Sequence, residues 1–474
     1  DVYHKMYLPT YGVFDEDRYF RRGDTCPVYI INGTSVGVSI CEDIWHPMGP
    51  MVVQRGVGAE VAVNINASPF SAGKQSFRER MIATRASDNG LYTAYLNLVG
   101  GQDELVFDGS STIFSPDGQL LTRGRAFEEE LLVADMDVTD VLRSRLRNPL
   151  ARKAQPDIHK SIGASKTLKV SNYTPKKRQL VNHREPVKPL SKEEEVYKAL
   201  VTGTRDYVRK TGFSRVIIGL SGGIDSALTA CVASDALGSQ NVLGVSMPSR
   251  FSSEGSIVDA KMLAHNLGIE MWTVPIEEAH QAYLNTLEPT FRGTQPNVTE
   301  QNIQSRIRGN ILMAISNKFG WLVLTTGNKS EMAMGYATLY GDMAGGFAVI
   351  KDVPKTLVYE LANWRNAHGT PSKPIPQASI DKAPSAELRP KQTDQDDLPA
   401  YDLLDKILKL YVEEERSYQE IVASGFDPEV VKRVIRTVDL NEYKRRQAPP
   451  GVKITQRAFG KDRRMPIVNR YSGF

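Results

Sequence analysis

Cysteine is scarce in this chain. Three occur in 474 residues, Cys26, Cys41 and Cys231; an odd count at such spacing builds neither a disulfide framework nor a zinc site. Long apolar runs are missing too: no stretch approaches the roughly 18 consecutive apolar residues that span a bilayer, so no membrane partner is expected. The opening "DVYHKMYLPTYGVF" has no basic region ahead of an apolar one, so it does not read as a secretory signal. A reducing cytoplasm is the expected setting. Charge of one sign is also lacking. The net charge of +4 is small for this length and implies no nucleic-acid partner.

What is present exceeds one ordinary core, so two domains are expected. Residues 1–147 carry short apolar runs, "SVGVSI", "VAVNIN" and "LLVADMD", broken by Gly, Asn and Pro, which read as strands. From Arg152 to Lys192 the apolar pattern dissolves. There, eleven Lys or Arg stand against two acidic residues, and Pro156, Pro175, Pro186 and Pro189 punctuate the stretch. It reads as a basic, solvated linker over 148–192 rather than a polyanion site. From 193 helix and strand alternate. Val196, Leu200, Tyr207 and Val208 fall at roughly helical spacing before Gly212, and "VIIGL" is a β-branched run suited to a strand buried on both faces. "SALTACVASDAL", "VLGVSMP", "SIVDAKMLAHNLG", "MWTVPI", a helix near 300–319 and "WLVLTTG" continue the alternation. That order predicts a doubly wound sheet with its ligands at the carboxyl ends of the strands.

The strand "VIIGL" runs into "SGGIDS" and then a helix. Gly219, Leu220, Ser221, Gly222, Gly223, Ile224, Asp225 and Ser226 therefore form a turn whose N–H groups and hydroxyls suit an anion. A glycine turn alone also fits a purely structural bend. Asp225 would repel a bare phosphate, which makes sense if Mg²⁺ sits between them. No "GKS" or "GKT" follows, so the turn is not the Walker loop of phosphoryl transfer.

"SGGIDS" resembles the pyrophosphate loop of the N-type ATP pyrophosphatases, which adenylylate an acyl oxygen and let nitrogen displace AMP. "TEQNIQSRIRGNILM", "TTGNKSEMAMGYATLYGD", "KDVPKTLVYELANW", "DKAPSAELRP" and "GKDRRMPIV" resemble the NAD synthetases within that superfamily. The resemblance implies ATP contacts at the loop, Thr326, Lys355 and Ser385. It implies deamido-NAD contacts at Arg306, Glu331 and Lys461, and a metal held by Asp225 and Glu331. ATP is then a co-substrate and Mg²⁺ the cofactor.

"VGVSICEDIWHP" ends an apolar run in Cys41, which by itself suits a small buried hydrophobe equally well. With "HKMYLPTYGVFDEDRYF", "NASPFSAGK" and "NLVGGQDELVFDGSS", however, it resembles the nitrilase-type glutaminases. That likeness implies Cys41 as nucleophile, Lys5 as its catalytic lysine, and Tyr11, Ser68 and Lys74 as glutamine contacts. An ammonium beside a thiol favours the thiolate and can steady an oxyanion. The family's general-base glutamate lies well upstream of the lysine, and only Asp1 to His4 precede Lys5 here. The expectation is a domain whose first part, base included, is outside the given sequence.

The whole reads as α/β: a nitrilase-like α/β/β/α sandwich at 1–147, the linker at 148–192, and a doubly wound parallel-sheet ATP pyrophosphatase domain at 193–474. The pairing of domains is that of the glutamine-dependent NAD synthetases, which implies amidation of deamido-NAD with ammonia from glutamine. It further implies a homo-oligomer, up to an octamer. The alternative left open is an ammonia-dependent enzyme with an inactive glutaminase scaffold.

Overall fold

The computed structural model describes residues 1–147, 161–172, 180–181, 185–468 and 470. The chain forms two compact units, one of residues 1–100 and 107–192, the other of 101–106 and 193–474.

In the first unit β1 (Thr25–Ile31) and β2 (Thr34–Ile40) form an antiparallel hairpin. Asn32 and Gly33 turn it with φ of 49° and 84°, the paired positive values of the tight turn that matches strand twist. β3 (Val61–Asn66) and β4 (Tyr92–Asn97) continue parallel to β2, with helices Pro50–Gly56 and Lys74–Asn89 in the crossovers. A ribbon of β5 (Val99–Gln102) and β6 (Leu105–Asp108) follows, of which residues 101–106 belong to the second unit. β7 (Thr112–Phe114) and β8 (Leu120–Arg123) then close one side antiparallel.

The opposite edge is β9 (Ala164–Lys169), parallel to β1, which gives the sheet order β8-β7-β4-β3-β2-β1-β9. β9 lies inside the stretch read as linker. Its sequence "ASKTLK" has no buried face, so no apolar alternation marks it; backbone pairing alone defines it. Pro156 and Pro175 of the same stretch lie outside the described residues.

The second unit is built on β10 (Val216–Gly219), β11 (Val242–Ser246), β12 (Glu270–Thr273), β13 (Leu322–Thr325) and β14 (Phe347–Ala348). All pair parallel in the order β12-β11-β10-β13-β14. The order of chain entry therefore reverses between β10 and β13, the switch point where open α/β sheets take ligands. Val216, Ile217 and Ile218 are fully buried, as the β-branched run predicts. Helix Ile224–Leu237 is buried along almost its whole length, and helix Val298–Phe319 contributes Ile303, Ile307 and Leu312 to the core over the sheet.

Candidate active sites

The second unit holds a cavity of about 530 Å³ at the carboxyl ends of β10, β11 and β13. The turn after β10 forms one wall. Gly219, Leu220, Ser221, Gly223, Ile224, Asp225 and Ser226 all line it, as do Thr326, Glu331, Lys355 and Ser385. Gly222 stands behind that wall. Its φ is 82°, and a Cβ there would come within 2.2 Å of the Ser256 carbonyl oxygen, so only glycine lets the turn pass under the next helix.

Ser221 and Ser226 face each other with hydroxyl oxygens 3.1 Å apart. Asp225 lies in the first turn of helix Ile224–Leu237, and its carboxylate is ion-paired with the Lys355 ammonium. Glu331 lies 4.0 Å from the same ammonium.

Asn328 ties the two carboxylates together. It caps the short helix Lys329–Met334 by accepting from the Glu331 N–H at 3.0 Å, and its own N–H donates to Glu331 Oε2 at 3.2 Å. Its amide also donates to Asp225 Oδ1 at 3.0 Å. Beneath them the buried Lys329 ammonium meets Asp352 at 3.0 Å, Glu413 at 2.8 Å and the Thr455 hydroxyl at 2.7 Å. Three distant segments are thereby pinned under the site.

Burial pushes the Glu331 carboxyl well above its usual range; the Asp225 charge adds to this and Lys355 opposes it. Asp394, also on the cavity wall, is raised mainly by burial. Burial alone would lower the Lys355 ammonium, but Asp225 and Glu331 outweigh it and hold it above its ordinary value. Negative charge is thus crowded around one lysine. Among the described residues no group of three His, Cys, Asp or Glu gathers into a metal cage. One or two carboxylates beside a phosphate cradle is nevertheless the donor set Mg²⁺ uses, the remaining positions going to phosphate and water. Asp225 and Glu331 fit it.

Arg306 is exposed and donates from Nε to the Leu339 carbonyl at 3.2 Å; it does not line the cavity. Arg308, two residues on and therefore on the opposite helix face, does. Its Nε donates to the Met247 carbonyl at 3.0 Å, and burial lowers its guanidinium to about 10, with Glu387 opposing. The motif pattern does not single out Arg308. Nor does the helical phase of Ile303 and Ile307, both buried, since Arg306 and Arg308 lie about 100° to either side of Ile307; only the fold places Arg308 on the cavity wall. Lys461 is exposed and also outside the cavity wall; its charge acts on Glu104.

In the first unit Cys41 follows β2 with a φ of 45°, the left-handed region that a cysteine rarely occupies. It opens the turn Cys41–Ile44 and is 8% exposed. Burial raises its thiol pKa, the Lys5 charge and a hydrogen bond with the Ala67 backbone lower it, and Glu42 and Glu16 raise it again. Lys5 holds Glu16 at 2.7 and 2.8 Å. Tyr11 donates to Glu42 Oε1 at 2.7 Å, next to the cysteine in sequence. Ser68 follows Ala67 and is buried, its N–H bonded to Asn97 Oδ1 at 2.9 Å. The Lys74 ammonium donates to the Pro69 carbonyl at 2.8 Å and lies 5.7 Å from the Trp45 ring centre. The structure thus gathers Lys5, Cys41 and Tyr11, with Ser68 and Lys74 on neighbouring segments.

The carbon-nitrogen hydrolase family matches residues 1–145, and the NAD synthase family matches 196–448. A glutamine-dependent NAD(+) synthetase of Thermotoga maritima is 52% identical over 473 residues, 99% of this chain and 81% of that protein. One of Aquifex aeolicus is 51% identical over 470 residues, again 99% and 81%. The solved structure of the glutamine-dependent NAD+ synthetase from Acinetobacter baumannii, in complex with adenosine diphosphate, superposes with a TM-score of 0.69 at 40% identity. That match covers 100% of this chain and 80% of the other.

Proposed function

Because the chain belongs to the family of glutamine-dependent NAD(+) synthetases, it is a carbon-nitrogen ligase that forms NAD with nitrogen from glutamine and consumes ATP, and we propose that its two sites divide the work. Domain bounds of 1–147 and 193–474, with 148–192 between them, are part of this proposal. The ammonia-only alternative loses ground, since the relatives that match nearly the whole chain are glutamine-dependent.

At the first site the Cys41 thiolate attacks the glutamine carboxamide carbon, Lys5 stabilises the oxyanion, and Tyr11, Ser68 and Lys74 hold the amino acid. Ammonia leaves, and water releases glutamate from the thioester. At the second, the Ser221–Ser226 turn cradles the ATP phosphates, with Thr326 and Ser385 as further contacts. The carboxylate of deamido-NAD attacks the α-phosphorus, pyrophosphate departs, and ammonia displaces AMP from the acyl adenylate. Lys355 and Arg308 neutralise the charge that gathers on the leaving pyrophosphate. Mg²⁺ held by Asp225 and Glu331 would supply Lewis-acid stabilisation of the same charge. Arg306 and Lys461, outside the cavity wall, are assigned to deamido-NAD, and the active protein is a homo-oligomer.

The observation that carries this reading is the convergence of the glycine turn, Asp225, Glu331 and Lys355 at the switch point between β10 and β13. Asp225→Asn removes the charge that balances both Lys355 and a metal. Synthesis should fall about 100-fold or more with either glutamine or ammonium as nitrogen source. Near-normal turnover with ammonium would refute the assignment.

A further inference from the structure

Lys5 lies in an irregular segment: residues 1–5 have no helix or strand to fix them. Its carbonyl accepts from the Gly23 N–H at 2.8 Å. Asp1 is tied to Tyr29 and Lys166, and the Lys5 ammonium to Glu16; among the described residues, the N–H groups just after Lys5 are bound by one side chain. Asp43 Oδ1 accepts from the N–H groups of Met6 and Tyr7, each at 3.0 Å. Asp43 Oδ2 accepts from the Tyr3 hydroxyl at 2.6 Å and from the Ile40 N–H at 3.0 Å. Ile40 immediately precedes Cys41. Asp43 itself is fully buried. A single carboxylate therefore binds the strand that delivers the thiol and, on both sides of Lys5, the segment that delivers the ammonium.

We propose that Asp43 is a positioning residue for the glutaminase reaction, fixing the Lys5 ammonium against the Cys41 thiol through these four hydrogen bonds. The inference rests on the reading of Cys41 and Lys5 as the glutaminase pair. It assigns Asp43 no contact with substrate. A carboxylate suits the task because all four of its partners are donors; a carboxamide offers one oxygen and turns an NH₂ toward the donors on its other side.

The sign of one effect separates positioning from direct electrostatics. Removing a negative charge near a thiol favours the thiolate and lowers its pKa. Releasing Lys5 does the opposite, since its charge is what lowers the Cys41 thiol. The other groups acting on Cys41 are Glu16 from the Lys5 segment, Glu42 on its own turn, Tyr11, and Tyr95 of β4. None of these is changed by the substitution.

The test is the pH dependence of Cys41 alkylation by iodoacetamide in the full chain, read peptide by peptide so that Cys26 and Cys231 are separated, for wild type and Asp43→Asn. The midpoint should move upward, and the rate at any pH below it should slow about tenfold for each pH unit that the midpoint rises. Glutamine-dependent kcat should fall, and ammonia-dependent synthesis should not change. A midpoint that stays put or moves downward overturns the proposal. Should Asp43→Asn misfold, shown by an altered circular dichroism spectrum or a lowered Tm, Tyr3→Phe removes only the tyrosine hydroxyl's bond to Oδ2. It should raise the midpoint by a smaller amount, and an unmoved midpoint there would be equally fatal. Cys41→Ala is the control on the underlying reading: glutamine-dependent synthesis surviving in it removes the glutaminase site itself, whereas a normal Asp43→Asn removes only the positioning role.

Discussion

At the scale of single residues, Arg308 shows how a side chain's surroundings reveal a task. Its guanidinium is largely buried, its one hydrogen bond within the described residues goes to a main-chain carbonyl, and it faces a cavity ringed by hydroxyls and glycine N–H groups. Burial makes its charge costly unless something anionic arrives. Arg308→Ala should raise KM for ATP about 10- to 100-fold, the range of a charged hydrogen bond, while glutamine hydrolysis is unaffected. An unchanged KM for ATP would take Arg308 out of the phosphate site. Motif residues were the readable part of this site, because "SGGIDS" concentrates its chemistry in consecutive positions. Arg308, Asp394 and Asp43 were not readable, since only the fold brings Arg308 to Met247, Asp43 to Tyr3, Met6 and Tyr7, and Asp394 to the wall that holds Asp225 and Lys355.

Elements were legible where burial imposes a period. The strand at Val216–Gly219 and the helix that follows it are apolar because both are enclosed, and the alternation of strand and helix across 193–325 carried the parallel sheet with it. β9 was not legible: an edge strand with a solvated face needs only backbone pairing, so its sequence is free to look like linker. The short helix Lys329–Met334 is a different case. Its cap, Asn328, is a familiar helix-start signal, yet the same side chain reaches Asp225, a link that depends on β10 and β13 being neighbours. The buried Lys329 beneath it binds Asp352 and Glu413. Losing a cation from such a group leaves buried charge uncompensated, at a cost of about 3–5 kcal/mol. The Glu331 carboxylate therefore rests on a cap and an ion network, whereas Asp225 starts the long buried helix Ile224–Leu237.

For the whole molecule, the proposed association follows from resemblance and symmetry. Two different two-fold contacts on one chain can close into a dihedral assembly. Light scattering at micromolar concentration should show a homo-oligomer, and a monomer alone would refute it. The central claim is the division of chemistry between two sites, each built within its own unit: a thiol near a lysine in one, and an ATP-dependent amidation centre in the other. Substituting Cys41 with alanine removes the nucleophile and leaves every residue of the second unit untouched. The decisive measurement is NAD formation by Cys41→Ala, supplied with ATP and deamido-NAD, first with glutamine and then with ammonium. Synthesis from glutamine should disappear while synthesis from ammonium proceeds at the wild-type rate; equal loss with both sources would contradict the account.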